Sequence, residues 1–257
     1  DGALELTVES VDLRKGELRC YVTHAATIYD RSNVHVVGAD VNLPLVSDRD
    51  EADLAFGVAN DVDFVCASFV RSPQQIHELR GILGTRGRHT AIIAKVETVA
   101  ALECLDKIID AADGVMVARG DLGVALPEER VFFAQKKIIA ACNLAGKPVL
   151  VATQLLESMV HNRRATRAET TDVANAVIDG ADGLVLSAES ARGQHPEAAV
   201  RTLARVSAEA VRFVRHRKRF SDMIATMNLE EGTEIAADPA SGASFRHTHD
   251  NTVSSQR

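Results

Sequence analysis

The sequence predicts an α/β protein organised on a parallel sheet, and three observations lead there. Between residues 46 and 219, five near-continuous apolar runs of strand length are each followed by helical or turn-like segments, the rhythm of buried parallel strands covered by helices. The polar residues of chemical interest follow directly on those runs, at the edge where parallel α/β folds bind ligands. Apolar residues make up 46% of the 257, but aromatics only 4% and tryptophan none, so the core must be aliphatic.

Residues 1–45 hold "ALELTVESV", "ELRCYVTHAATIY" and "VHVVGADVNLP". These are strand-like segments with turn residues between them, a small β module too short to bury a core of its own. From residue 46 the units run in order. "VDFVCASF" precedes "SPQQIHELRGIL", and "TAIIAKVE" precedes "TVAALECLDKIIDAA". "GVMVARG" precedes "PEERVFFAQKKIIAACNLAG", with Pro127 suited to a first helical turn and Gly146 to the position after the last. "KPVLVAT" leads into "QLLESMV" and "RAETTDVANAVIDG". "DGLVLS" precedes "HPEAAVRTLARVSAEAVRFVRHRK", whose basic end complements a helix C-terminus. This pattern fits a doubly wound sheet or a (β/α)8 barrel; a whole barrel takes ~250 residues, and only five units can be counted. Residues 220–257 are polar without a sustained period and predict a disordered tail. His247 and His249 within it lack further ligands at zinc-like spacing.

The formal net charge of −7 argues against a general nucleic-acid or membrane-surface binder. No apolar run approaches the ~20 residues of a membrane span, and "DGALELTVES" has no basic signal-peptide start. The absence of an initiator methionine suggests a segment of something larger. Cys20, Cys66, Cys104 and Cys142 form no CxxC pair. The last three sit in apolar runs and read as buried, reduced thiols of an intracellular protein.

The residues at the strand ends are Ser68, then Lys95 and Glu97 two positions apart and so on one side of a strand. Asp121 lies between Gly120 and Gly123, Thr153 precedes Gln154, and Ser187 and Glu189 close the fifth run. Each has a plain alternative: a closing salt bridge, a turn cap, a β-branched strand end, a helix start. Together they suit one chemistry. Two carboxylates with open positions are what Mg²⁺ favours, a lysine offsets charge on a phosphoryl group or enolate, and glycines let amides approach an anion. A hydroxyl opposite can position a proton. The implied reaction is metal-assisted work on a small anionic acid.

"AKVE", "MVARGDLGV", "AGKPVLVATQLLESM", "TRAETTDVANAVIDGADGLVLSAES" and "VNLP…FVCASFVR" closely resemble pyruvate kinase, from Asp1 to about Val211 and in the family's order. The resemblance implies that the five units are strands four to eight of a (β/α)8 TIM barrel. Residues 1–45 would be the remnant of an inserted β-domain and the return to the barrel, 46–219 the partial catalytic domain, and 220–257 the tail. It implies that Lys95 stabilises the transition state and that Glu97 and Asp121 hold Mg²⁺ (or Mn²⁺). Gly120, Asp121 and Thr153 would hold phosphoenolpyruvate or pyruvate, Thr153 also acting near the enolate, with Ser68, Ser187 and Glu189 around the pocket. The implied reaction passes a phosphoryl group from phosphoenolpyruvate to ADP, then protonates the enolate. The implied setting is a cytoplasmic homo-oligomer, a tetramer, with no nucleic-acid or membrane partner.

Departures accompany the match. The family's arginine and asparagine near the phosphates, its K⁺ ligands and its C-terminal domain have no counterpart here. "GVNLPG" reads "NVHVVG" from Asn33 to Gly38, "RPTRAE" reads "RATRAE" with Ala165, "SGET" reads "SAES" with Ala188 and Ser190, and "LGVEIP" reads "LGVALP" with Ala125. Two alternatives follow: a catalytically inactive family member acting as an interaction protein, and a metal-dependent lyase or aldolase acting on pyruvate enolate.

Overall fold

The computed structural model describes residues 4–28, 30, 32, 34–36, 46–214 and 220–226. Chain contacts divide it into two units, 1–214 and 215–257. In the first unit, β1 (Glu5–Asp12) and β2 (Glu17–His24) form an antiparallel hairpin. Leu6, Val8, Leu18 and Val22 of that hairpin stay exposed. Of the third β segment expected in residues 1–45, residues 34–36 have no regular structure, and 37–45 lie outside the described residues.

The expected parallel sheet is borne out. Its strands are β3 (Phe64–Ala67), β4 (Ala91–Val96), β5 (Gly114–Ala118), β6 (Val149–Ala152) and β7 (Gly183–Val185). They lie side by side in chain order and all pair parallel. A doubly wound sheet reverses its strand order at a switch point, and these five do not, which leaves the barrel arrangement.

Side-chain alternation divides the sheet into two faces. Ile92, Ala94, Val96, Val115, Val117, Val149 and Val151 belong to the large core, formed with the helices. These are α1 (Asp48–Ala59), α2 (Pro73–Leu83), α3 (Val99–Glu103), α4 (Leu105–Ala111), α5 (Arg119–Ala125), α6 (Glu128–Leu144), α7 (Arg167–Asp179), α8 (Ala188–Ala191) and α9 (Pro196–Phe213). Ile93, Met116 and Ala152, with Leu150 and Val185, make a smaller cluster on the other face. Packing there is close: a Cβ on Gly183 would come 2.7 Å from Leu150 Cδ2.

Several local expectations change. Helix α1 had no counterpart in the sequence reading, although Ser47 and Asp50 form a complete capping box at its start; it buries no residue, so its apolar period is weak. The single helix expected after "TAIIAKVE" is broken at Cys104 into α3 and α4. Its Sγ lies 3.2 Å from the carbonyl oxygens of both Arg71 and Ala100, which share its one S–H donor. "QLLESMV", which the sequence leaves unassigned, contains a 3₁₀ turn, Glu157–Val160. Pro127 is the N-cap of α6, one residue before its first turn, while Gly146 takes φ +66° just past its end.

The cysteine reading needs correction. Cys142 is buried, and burial pushes its thiol up to about 12. Cys104 is half-buried, but Cys66 is exposed. It sits on edge strand β3 between Val65 and Ala67, which face the helices, so its own side chain takes the opposite, more open face. No helix among the described residues is long and apolar enough to cross a membrane. Residues 220–226, inside the expected disordered tail, are helical; His247 and His249 lie outside the described residues.

Ile138 on α6 is fully buried in the large core. Ile138→Ala is expected to cost about 2–5 kcal/mol, read as a lowered urea midpoint with an unchanged slope.

Candidate functional site

Register decides which side chains meet. Ala67 pairs with Ala94, Val96 with Val117, Ala118 with Ala152, and Ala152 with Val185. The carboxyl ends of five strands therefore form one rim, and each expected site residue lies on it. Ser68 follows β3, Lys95 lies near the end of β4 and Glu97 just after it, Gly120 and Asp121 follow β5, Thr153 follows β6, and Ser187 and Glu189 follow β7.

Three of these residues form a network. Lys95 shares its face with Ile93, and its ammonium donates to Ser68 Oγ at 2.8 Å. The same nitrogen lies 2.7 Å from Glu97 Oε1. Glu97 is 1% exposed, and its Oε2 accepts the Phe69 amide at 2.6 Å. That amide is aimed by an unusual backbone, since Phe69 has φ +54°. Glu97 Oε1 is buried without a hydrogen bond of good angle, despite the ammonium beside it.

Burial pushes the Glu97 carboxyl above its ordinary value. Lys95 and the Phe69 amide oppose the rise, and the negative charge of Asp121 adds to it. Two carboxylates on neighbouring strand ends thus feel each other. Asp121 is not in the loop that its glycines suggest: α5 starts at Arg119, directly after β5, and Asp121 lies in its first turn. Asp121 Oδ1 lies 3.2 Å from His35 Nε2, and the His35 ring sits 6.1 Å from that of Phe69. No group of three or more His, Cys, Asp or Glu able to hold a metal occurs among the described residues.

Thr153 forms a second cluster. Its hydroxyl accepts the Gly120 amide at 2.7 Å and donates to the Ala152 carbonyl at 2.6 Å. Thr153 and Gln154 have φ of +72° and +51°, a conformation that is a genuine outlier for a β-branched residue. Arg119 reaches them from the start of α5. Its Nε and Nη2 donate to the Thr153 carbonyl at 3.1 and 2.8 Å, and Nη2 also to that of Gln154 at 3.0 Å. Nη1 meets Asp172 Oδ2 at 2.7 Å and Gln135 Oε1 at 3.3 Å. Arg119 was not among the residues expected from sequence.

Ser187 and Glu189 join a different arrangement. Glu189 is fully buried. Its Oε1 accepts the Leu156 amide and its Oε2 the Ser187 amide, both at 2.9 Å. The carboxylate therefore ties the turn after β6 to the exit of β7. A cavity of about 500 Å³ is lined by Arg119, Phe132, Gln135, Gln154, Asp172 and Asp179 among others. Lys95, Glu97 and Asp121 do not line it; they sit on the rim itself.

The chain matches the family model described as pyruvate kinase, barrel domain, over residues 1–200. It is 44% identical to a pyruvate kinase of Dictyostelium discoideum over 236 residues, 92% of this chain and 46% of the relative. It is 50% identical to one of Leishmania mexicana over 210 residues, 82% of this chain and 42% of the relative. For one of Geobacillus stearothermophilus the identity is 42% over 249 residues, 96% and 41% respectively. The chain thus spans less than half the length of these relatives.

The turn after β6 is braced by Glu169. It accepts the Ser158 amide and hydroxyl at 2.7 and 2.6 Å, and the Thr166 amide and hydroxyl at 2.7 and 2.9 Å. Burial alone would raise this carboxyl, but the hydrogen bonds hold it below its ordinary 4.5. A carboxyl more acidic in the folded than the unfolded state adds stability above its unfolded pKa and loses it as pH falls through the folded one. Glu169→Gln is expected to lower the urea midpoint at pH 7. The gap from the unsubstituted chain should close as pH falls below about 4.5.

Proposed function

Because the chain belongs to the pyruvate kinase family, we propose that it carries the phosphoryl-transfer half-site of that enzyme. In this reading it passes the phosphoryl group of phosphoenolpyruvate to ADP and releases pyruvate after protonation of the enolate. The observation that carries the reading is the pairing of Lys95 with the buried Glu97, braced by Ser68 and under the charge of Asp121. A lysine held this way by one carboxylate and one hydroxyl is pre-oriented toward an incoming anion, so little reorganisation accompanies charge development.

The donor set fits a divalent ion of the Mg²⁺ type. Glu97 has a buried oxygen without a good hydrogen bond, its carboxyl is raised by burial and by Asp121, and a cation beside both acids would relieve that repulsion. Two carboxylates with no third protein ligand suit Mg²⁺ or Mn²⁺, which keep several waters and take substrate oxygens. Glu97 and Asp121 are the proposed holders; when bound, the ion would offset negative charge on phosphoryl and enolate oxygens. Family K⁺ dependence is part of the proposal, with no ligand for it assigned among these residues.

In this reading Gly120 and Asp121 face the substrate carboxylate, Lys95 offsets charge on the transferring group, and Thr153 governs the proton. The Thr153 hydroxyl donates to the Ala152 carbonyl, so donation toward an enolate would take rotation of the hydroxyl and replacement of its proton from a solvent water. Ser187 and Glu189 support the rim through backbone hydrogen bonds. We further propose a cytoplasmic location, the division at residues 45 and 219, and assembly as a homo-oligomer with further parts of the enzyme.

The chain is to be assayed with phosphoenolpyruvate, ADP and Mg²⁺, with pyruvate read through lactate dehydrogenase. Lys95→Ala and Asp121→Ala are each expected to cut turnover by about 10²–10³-fold or more. Unchanged rates in either variant would refute the role assigned to it. Absence of turnover in the unsubstituted chain even when it is completed with the remaining parts of the enzyme would favour the inactive, interaction-protein alternative. Deuterium exchange at C3 of pyruvate, independent of nucleotide, would favour the lyase.

A further inference from the structure

The β6 strand leaves the sheet through two consecutive non-glycine residues in the left-handed region, Thr153 and Gln154. Such a pair persists only where its surroundings over-determine it, and the carbonyls of both converge on the same guanidinium. The Arg119 side chain is 10% exposed. It is fixed from behind by Asp172 of α7 and by Gln135 of α6, itself 5% exposed. A planar fork can donate to two successive carbonyls and to a carboxylate at once, which a lysine's point charge does not reproduce.

We propose that Arg119 is the positioning residue for Thr153: its guanidinium clamps the left-handed Thr153–Gln154 turn and so keeps the Thr153 hydroxyl on the Gly120 amide. The functional half of this inference rests on Thr153 belonging to the substrate site, as proposed above. The mechanical half rests on the hydrogen bonds alone. Without the clamp the turn relaxes toward ordinary backbone angles, and the hydroxyl leaves the amide beside Asp121. Lys95, Glu97 and Asp121 keep their own contacts, so anion binding persists while the proton step suffers.

The test compares the unsubstituted full chain with Arg119→Ala, Arg119→Lys and Asp172→Asn, the last two guarding against a fold lost with the alanine. Hydrogen–deuterium exchange is followed by mass spectrometry. In both Arg119 variants, amides in peptides covering Gly120 and residues 153–156 should exchange about tenfold faster. Those of β4 and β5 should hold, and Asp172→Asn should show a smaller rise in the same peptides. Deuterium exchange at C3 of pyruvate with Mg²⁺ and ATP should fall about 10²-fold at saturation. The half-saturating pyruvate concentration should move less than about twofold, a split that a merely destabilised fold would not give. Unchanged protection at 153–156 in Arg119→Ala, or protection fully kept by Arg119→Lys, overturns the clamp. If C3 exchange is absent even without substitution, the substrate-site reading fails, and amide exchange still decides the role of Arg119.

Discussion

A parallel ladder leaves little freedom over where strand ends fall. Once Val96 is opposite Val117 and Ala118 opposite Ala152, the next residues of each strand emerge together at one edge, whatever the loops do. Residues distant in sequence thereby become neighbours: Ser68 beside Lys95, Gly120 beside Thr153. Loop chemistry at the opposite edge holds this register. The Asp113 carboxylate takes the Ile92 amide at 2.7 Å, Asp182 takes that of Val149 at 2.8 Å, and the Lys147 ammonium donates to the Ala112 carbonyl at 2.7 Å. Each fixes the entry of a strand, so the exits are level.

On that rim the electrostatics work against stability. Glu97 is taken almost wholly out of water, and its partner Lys95 keeps its side chain 23% exposed. Pairs of this kind contribute little net stability, because desolvation offsets attraction. The neighbouring Asp121 makes the balance worse. Backbone conformation tells the same story: Phe69, Thr153 and Gln154, three of the four described non-glycine residues with positive φ, lie on this edge. Strain and unrelieved charge gathered at one place are the usual mark of a site.

Much of this was legible in the sequence. The strands were, because a strand covered on one face by helices and on the other by its own inner cluster must be apolar throughout, as "GVMVA" is. Lys95, Glu97, Asp121 and Thr153 stood out because a polar residue directly after such a run has to face the rim. Arg119 did not. It reads as one more surface charge, and its partners lie 34, 35 and 53 residues further on. No local spacing announces them. The exposure of Cys66 was equally hidden, since it depends on β3 being an edge strand among those described. Helix α1 was missed because it sets only Leu54 and Val58 partly against the core and fully buries no residue, which writes a weak stripe even when the capping box is complete.

The alternation of side chains across the sheet has a consequence for how such a protein changes over time. Residues that hold the fold, from Ile92 to Val151, point to the helices, whereas Lys95 and the residues beyond the strand ends point to the inner face or the rim. Random substitution therefore meets two nearly separate sets of positions. One set is constrained by packing and tolerates only other aliphatics. The other is constrained by chemistry and by the rim's own hydrogen bonds, such as those of Glu97 and Glu189 to backbone amides, more than by apolar packing.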